Sequence, residues 1–200
     1  VDWPLTLPER LSDGTISVSY YDSSDAEELF RALDDVRVWE HIPHLIPTTP
    51  AVLNEWIGSR LAAGDRSTFT IRDGTEVVGM TSILFDPSDP DGVEIGGTQL
   101  STSVWGTGLN GAVKRLLIAR AFDSDAAWIQ FRTDERNHRS AAAISKLGAR
   151  DLGIRQDVRV RRDGSVRRSR FFRLEPDTRT TTFEQRNNLK SDPRRCPQAG

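Results

Sequence analysis

Gly106, Gly108 and Gly111, within "WGTGLNG" (Trp105 to Gly111), have the spacing G-x-G-x-x-G. A glycine-rich turn that opens a helix aims unpaired backbone N–H groups and the positive end of the helix dipole at one point, which suits a pyrophosphate. Two kinds of carrier fit this chemistry, a dinucleotide and another diphosphate. The dinucleotide fingerprint also asks for an acidic residue about 20 positions on, and Asp134 follows Gly111 by 23. Topology opposes that reading, because in a doubly wound fold the fingerprint occupies the first strand-to-helix turn. Here about 100 residues precede it, and too little chain follows to build the second half. A nicotinamide-dependent oxidoreductase built on Gly106–Gly111 stands as the alternative.

Other reactive residues narrow the chemistry further. His41 and His44 in "WEHIPHLIP" have Pro43 between them, which opposes the regular helix that would aim both at one metal, and no third ligand is evident. No metal is expected. Cys196 is the only cysteine, so the chain has no intramolecular disulfide and no cysteine-rich metal site. A G-x-S-x-G elbow and a Cys–His pair are both missing, which argues against a covalent intermediate.

The elements that must position these groups follow from periodicity. "DGTISVSYYD" (13–22) reads as a short strand. "SSDAEELFRALDD" reads as a helix with Ser24 and Glu27 as a capping box. Thr49 and Pro50 suit the cap and first position of a second helix, whose apolar side is Leu53, Trp56, Ile57 and Leu61. Asp73-Gly74 predicts a tight hairpin between two strands, and Gly96-Gly97 predicts a bulge in a third strand over 93–103. A helix from Leu109 to Phe122, a buried strand over 126–132, a helix from Asn137 stopped by Gly148 and a hairpin turning at Asp163-Gly164 complete the order. An antiparallel meander, one parallel crossover and a closing hairpin make an α+β fold with a mostly antiparallel sheet.

Composition sets outer limits. At 200 residues, 36% of them hydrophobic and 28% charged, the chain suits one core, placed at 1–175, with a polar, aperiodic extension over 176–200. No apolar run spans a bilayer and the first residues lack a signal-peptide pattern, so a cytoplasmic protein with no membrane partner is expected. From Asp151 onward 13 Arg or Lys face 7 Asp or Glu, a net +6 against −8 for residues 1–150. The basic residues alternate with apolar ones on apparent strands and lack a stacking platform, so no nucleic-acid partner is expected. Arginine outnumbers lysine 24 to 3, read as compositional bias.

"WGTGLNGAVKRLLIARAF" followed by "RTDERNHRSAAAISKLGARDLGI" resembles the GNAT superfamily of acyl-CoA-dependent N-acetyltransferases, in the branch of the ribosomal-protein N-terminal acetyltransferases. The likeness covers about residues 10–175 and implies a central sheet with a splayed strand pair and flanking helices. It implies acetyl-CoA as co-substrate, a primary amine as acceptor (a protein N-terminus or a small molecule), and a homodimer or higher homo-oligomer. The family's pyrophosphate loop maps to Trp105, Gly106, Thr107, Gly108, Leu109 and Asn110, with Trp105 and Asn110 departing from its general form; the fingerprint adds Gly111. Pantetheine is expected against the backbone near Leu100, Ser101 and Ser103, in a gap between strands 93–103 and 126–132, with Asn137 beside it. The family's thiolate-protonating tyrosine aligns with Ile144, so Ser140, one turn earlier, is the candidate acid; a locally bonded surface serine is the other reading. Glu94 is the candidate base, and a solvated strand residue is its alternative. Trp39, His41 and His44 are placed near the acceptor mouth. The negative charge of residues 1–150 favours a cationic amine. A non-catalytic acyl-CoA-binding module is the remaining rival.

Overall fold

Gly74, at φ 60°, turns the chain between β3 (Arg66–Asp73) and β4 (Glu76–Leu84), and Gly164, at φ 80°, does the same between β7 (Arg150–Val160) and β8 (Val166–Leu174). Positive φ is a region that glycine enters without steric cost, so both hairpins form where the dipeptides predict them. The computed structural model describes residues 1–176, apart from 2, 6, 7, 44 and 45 and the side chains of 157 and 158. Within them lie eight strands, β1 (Arg10–Asp13), β2 (Ile16–Tyr20), β3, β4, β5 (Gly92–Leu100), β6 (Trp128–Asp134), β7 and β8, in the spatial order β1-β2-β3-β4-β5-β6-β8-β7. Among these strands β5 and β6 pair in parallel, and every other neighbour is antiparallel. The expected α+β class holds, and the doubly wound frame that a dinucleotide site needs is not the one built here.

Among the described residues four α-helices cover the sheet: α1 (Ala26–Ala32), α2 (Pro50–Leu61), α3 (Leu109–Asp123) and α4 (His138–Ser145). Val113 and Leu117 of α3 and Ile144 of α4 join Phe69, Ile71, Ile83, Val93, Ile95, Ile129, Phe131 and Phe172 in one core. Leu29 of α1 and Leu53 and Ile57 of α2 pack with Trp39 and Met80 in a second core. No helix among the described residues is long and apolar enough to cross a membrane.

Two local expectations change. The segment 13–22 is not one strand, because Gly14 (φ 61°) turns the chain between β1 and β2 and makes a hairpin at the sheet edge. The capping box at Ser24 and Glu27 does not form. Asp22 instead accepts the Ser24 N–H at 2.8 Å and caps a turn of 3-10 helix (Ser23–Asp25). Asp25, at the α1 N-cap, spends its carboxylate on the Thr70 hydroxyl and the Arg72 guanidinium of β3. At α2, Thr49 and Pro50 behave as predicted, the Thr49 hydroxyl accepting the Val52 N–H at 3.2 Å.

The feature that positions the site is where β5 and β6 part. They pair at only three positions, Gly92 with Trp128, Val93 with Ile129 and Glu94 with Gln130. β5 stays joined to β4 as far as Leu100, while β6 stays joined to β8 as far as Asp134. From Ile95 onward the edge of β5 that faces β6 is unpaired. The register of β5 against β4 slips between Met80 and Ser82, beside Gly97 at φ 59°, which is the predicted bulge.

Candidate functional site

A cavity of about 680 Å³ opens where the strands diverge, and it runs from Glu94 along β5 to the glycine turn. At its far end Trp105, Gly106, Gly108, Asn110 and Gly111 line the wall; Thr107 and Leu109 belong to the same turn but do not line it. Gly106 has φ 79° and Gly108, the N-cap of α3, has φ 92°. Gly108 has no side chain with which to cap α3, and the Leu109 N–H meets only the Thr107 hydroxyl, at 3.4 Å. The N–H groups that follow open the helix at the cavity wall without a side-chain cap, as anion recognition requires.

Trp105 fixes this turn. Its indole N–H donates to the Leu100 carbonyl at 3.0 Å, and the Arg139 guanidinium of α4 stacks on its ring at 3.4 Å from the centroid. The backbone around Leu100, Ser101 and Ser103 is spent within the protein: the Ser101 N–H donates to Val78, and the Ser103 N–H meets the Ser101 hydroxyl. Ser101 and Ser103 do not line the cavity, whereas Leu100 does. The open backbone edge lies earlier in the strand, from Ile95 to Leu100.

Glu94 lines the cavity on the face opposite Val93 and Ile95, whose side chains are in the core with α3. Its carboxylate accepts from Gln130 Nε2 at 3.1 Å and Arg132 Nη2 at 3.3 Å, and the side chain is only 16% exposed. Asn137 and Ser140 both line the cavity, and the Asn137 side-chain oxygen accepts the Ser140 N–H at 3.0 Å as the cap of α4. Ile144 lines it one turn further on.

His41 lines the cavity mouth, and burial pulls its pKa below the ordinary histidine value. Trp39 is displaced from its expected place at the acceptor mouth. It is a core residue, its indole donating to the Leu33 carbonyl at 2.9 Å, and its ring meets Trp56 edge-on at 6.0 Å. Trp56 reaches the cavity instead. His44 lies outside the described residues.

Lys114 and Gln99 line the cavity and escaped the sequence reading. Lys114, on α3 and only 5% exposed, donates to the hydroxyls of Thr81 at 3.1 Å and Thr98 at 2.5 Å. Those hydroxyls bond each other at 2.8 Å, and burial pulls the Lys114 pKa down to about 7. Gln99, 3% exposed, has both side-chain polar atoms buried without a hydrogen-bond partner among the described residues, and Asn110 Oδ1 is in the same condition. Buried polar atoms left unpaired call for an explanation, and a ligand in the cavity is one that fits. A lysine between Val113 and Leu117, both of which face the core, was the one available signal.

The comparisons accord with this geometry. The family described as "Acetyltransferase (GNAT) domain" matches residues 18–150. Among curated protein sequences nothing matches the chain. Among solved structures, the chain is similar to a protein assigned as an acetyltransferase from T. thermophilus, with 24% identity over 94% of this chain and 99% of that one and a TM-score of 0.77. It is similar to a GCN5-related N-acetyltransferase from Brucella melitensis, with 18% identity over 100% and 94% and a TM-score of 0.78. Mycobacterium smegmatis RimJ in complex with CoA-disulfide is 17% identical over 81% and 82%, with a TM-score of 0.69.

Proposed function

The chain belongs to the GNAT acetyltransferase family, and from that premise we propose that it moves an acetyl group from acetyl-CoA to a primary amine by direct attack on the thioester. The observation that carries this reading is the gap beyond Glu94 and Gln130, which leads from an open strand edge to the N-terminus of α3. The diphosphate would bind the N–H groups after Gly108, and the buried side-chain amide of Gln99 offers a donor that is otherwise unmet. Pantetheine would lie along the Ile95–Leu100 edge.

In the reaction the amine nitrogen bonds to the thioester carbon, the C–S bond breaks, the nitrogen loses a proton and the sulfur gains one. A β5 N–H near Gly96–Gly97 would meet the developing oxyanion. Glu94 would take the amine's proton, directly or through water, because it is the cavity carboxylate at the point where the strands part. Ser140 or water would return a proton to the thiolate. Most of the acceleration comes from holding two reactants in line. A homodimer or higher homo-oligomer belongs to this reading by family resemblance, a cytoplasmic location belongs to it from the composition, and sedimentation of the purified protein tests the first.

The decisive experiment couples binding to turnover. Calorimetric titration with acetyl-CoA is expected to saturate at one site per chain, and NADH is expected not to bind. Thiol release across peptides, polyamines and amino acids, with mass spectrometry of the products, is expected to identify an N-acetylated acceptor. Failure to bind acetyl-CoA overturns the reading; binding without transfer to any amine favours an acyl-CoA-binding module.

A further inference from the structure

Lys114 is buried in the wall of the cavity, and among the described residues it meets hydroxyls and no carboxylate. We infer that it is the protein's counter-charge for the diphosphate of acetyl-CoA, and that binding the coenzyme draws one proton from solvent onto its amine. The inference rests on the acetyl-transfer reading above, which puts the diphosphate at the start of α3, and adds the proton that accompanies it.

The fold sets Lys114 beneath the open edge of β5. Thr81 lies on the face of β4 opposite Met80, which packs with α1 and α2, so the Thr81 hydroxyl meets α3. Thr98 belongs to the stretch of β5 that β6 leaves unpaired; it is half-buried and lines the cavity, as Lys114 does. Lys114 comes five residues after Leu109, where α3 begins, about 8 Å along the axis at the usual rise. The Cα–Cβ bonds of a helix tilt toward its N-terminus, so the side chain starts out in the direction of the glycine turn. Asn110, one turn earlier on the same side of the helix, lines the cavity too.

The partners of this amine suit either protonation state. An ammonium donates three hydrogen bonds and accepts none, whereas a hydroxyl both donates and accepts. Thr81 and Thr98 take two of the three, at 3.1 and 2.5 Å, and bond each other at 2.8 Å. When the amine is neutral, one hydroxyl can turn and donate to it. A carboxylate in their place would fix the positive charge.

No such carboxylate is at hand on the elements around Lys114. Asp13 of β1, Glu76 of β4 and Asp123 of α3 are exposed. Glu94 lies on the other face of β5 and pairs with Arg132, Asp134 of β6 is held by Arg161, and Tyr20 of β2 donates to the Leu5 carbonyl. Arg10 of β1, Arg115 of α3 and, on α4, Arg139 and Lys146 are cations on exposed positions. Burial alone lowers the Lys114 pKa, with no charged group adding to the shift. A diphosphate at the first N–H groups of α3 changes that balance, because an anion near a buried amine favours its protonated form. Linkage makes the effect mutual: the proton strengthens coenzyme binding by the same factor by which the coenzyme strengthens proton binding.

The chain has only three lysines, Lys114, Lys146 and Lys190, so 13C-lysine labelling of the full-length protein gives three ε-methylene signals to follow by NMR. In the free protein one of them, absent from Lys114→Met, is expected to titrate near neutral pH, and saturating acetyl-CoA is expected to raise its midpoint by about one pH unit or more. Calorimetric Kd values for acetyl-CoA are then expected to weaken severalfold from pH 7.5 to 9 in the parent and to stay flat in Lys114→Met, every other titration being common to both proteins. A midpoint that acetyl-CoA leaves in place, a free protein in which no lysine titrates below the ordinary range, or parallel pH curves for parent and variant overturns the inference and leaves acetyl transfer standing. If Lys114→Met does not fold, the NMR titration of the parent decides alone, read on the signal of lowest midpoint. A parent that does not bind acetyl-CoA overturns both readings.

Discussion

Glu94 and Gln130 are the last residues that β5 and β6 pair before the strands part, and the Gln130 amide donates to the Glu94 carboxylate at 3.1 Å. The fork of the sheet and its candidate proton acceptor thus coincide at one position. Glu94→Gln preserves shape and the link to Gln130 while removing the base. Acetyl transfer is expected to fall about 100-fold in kcat, the usual scale for a general base, with the acetyl-CoA Kd unchanged. A kcat within threefold of the parent would remove Glu94 from the mechanism.

Gly108 caps α3 at φ 92°, and a Cβ built there meets nothing within 4 Å. Any effect of Gly108→Ala is therefore conformational, with a cost of about 1–2 kcal/mol for an L-residue in that region. Relief of the strain would rotate the first N–H groups of α3 away from the cavity. Calorimetry is expected to show acetyl-CoA binding weakened about tenfold or more, with modest loss of stability; unchanged affinity would place the diphosphate elsewhere.

Much of this site is written in local sequence, and some is not. Asp73-Gly74, Asp163-Gly164, Gly96-Gly97 and the glycines of the turn each impose a backbone geometry that two or three residues decide alone, so their places follow from the letters. Trp39 and Trp56 could not be told apart that way, because which ring faces the core and which the cavity depends on how α2 packs against the sheet. Arg66 and Glu94 are 28 positions apart, and only strand register makes them neighbours across the sheet. Lys114 was hidden for another reason. In a chain with 24 arginines and 3 lysines nothing local marks one cation as buried, yet at a buried site a lysine can lose its proton and an arginine cannot.

Lys114 gives stability a particular pH dependence. Its folded pKa, about 7, is below the ordinary value of 10.5 that applies once the chain unfolds. Between those values the unfolded state binds the extra proton, so this group's contribution to stability rises with pH across that interval, by up to about 1.4 kcal/mol per pH unit. Urea unfolding at pH 6, 8 and 9.5 is expected to show the parent gaining stability relative to Lys114→Met as pH rises. Parallel curves would mean that Lys114 stays charged in the fold.

Gly92 opens β5 against the Trp128 ring, and a Cβ at Gly92 would come within 2.3 to 2.5 Å of three ring atoms. Gly92→Ala must displace the indole at the only pairs that hold β5 to β6. A loss of about 1–3 kcal/mol, the usual cost of overpacking, is expected in chemical denaturation. The double change Gly92→Ala with Trp128→Leu is expected to recover part of it, and no recovery would point away from the ring as the cause.

Trp105 joins three parts of the site, through its indole bond to the Leu100 carbonyl, the Arg139 guanidinium stacked on its ring, and the more distant Arg37 at 5.9 Å from the ring centroid. It therefore ties the phosphate turn to the end of β5 and to α4. Trp105→Phe keeps a face for Arg139 and loses the indole hydrogen bond; Trp105→Ala loses both. If the turn is preorganised by these contacts, acetyl-CoA affinity should fall stepwise, severalfold for Phe and about tenfold or more for Ala, consistent with about 0.5–1.5 kcal/mol for a hydrogen bond and a similar amount for a cation–π contact. Arg139→Ala in the Trp105→Ala background should then add little to the loss, because its partner is already gone. Full additivity of the two changes, read from calorimetric Kd values, would show that Arg139 acts on the carrier directly and not through Trp105.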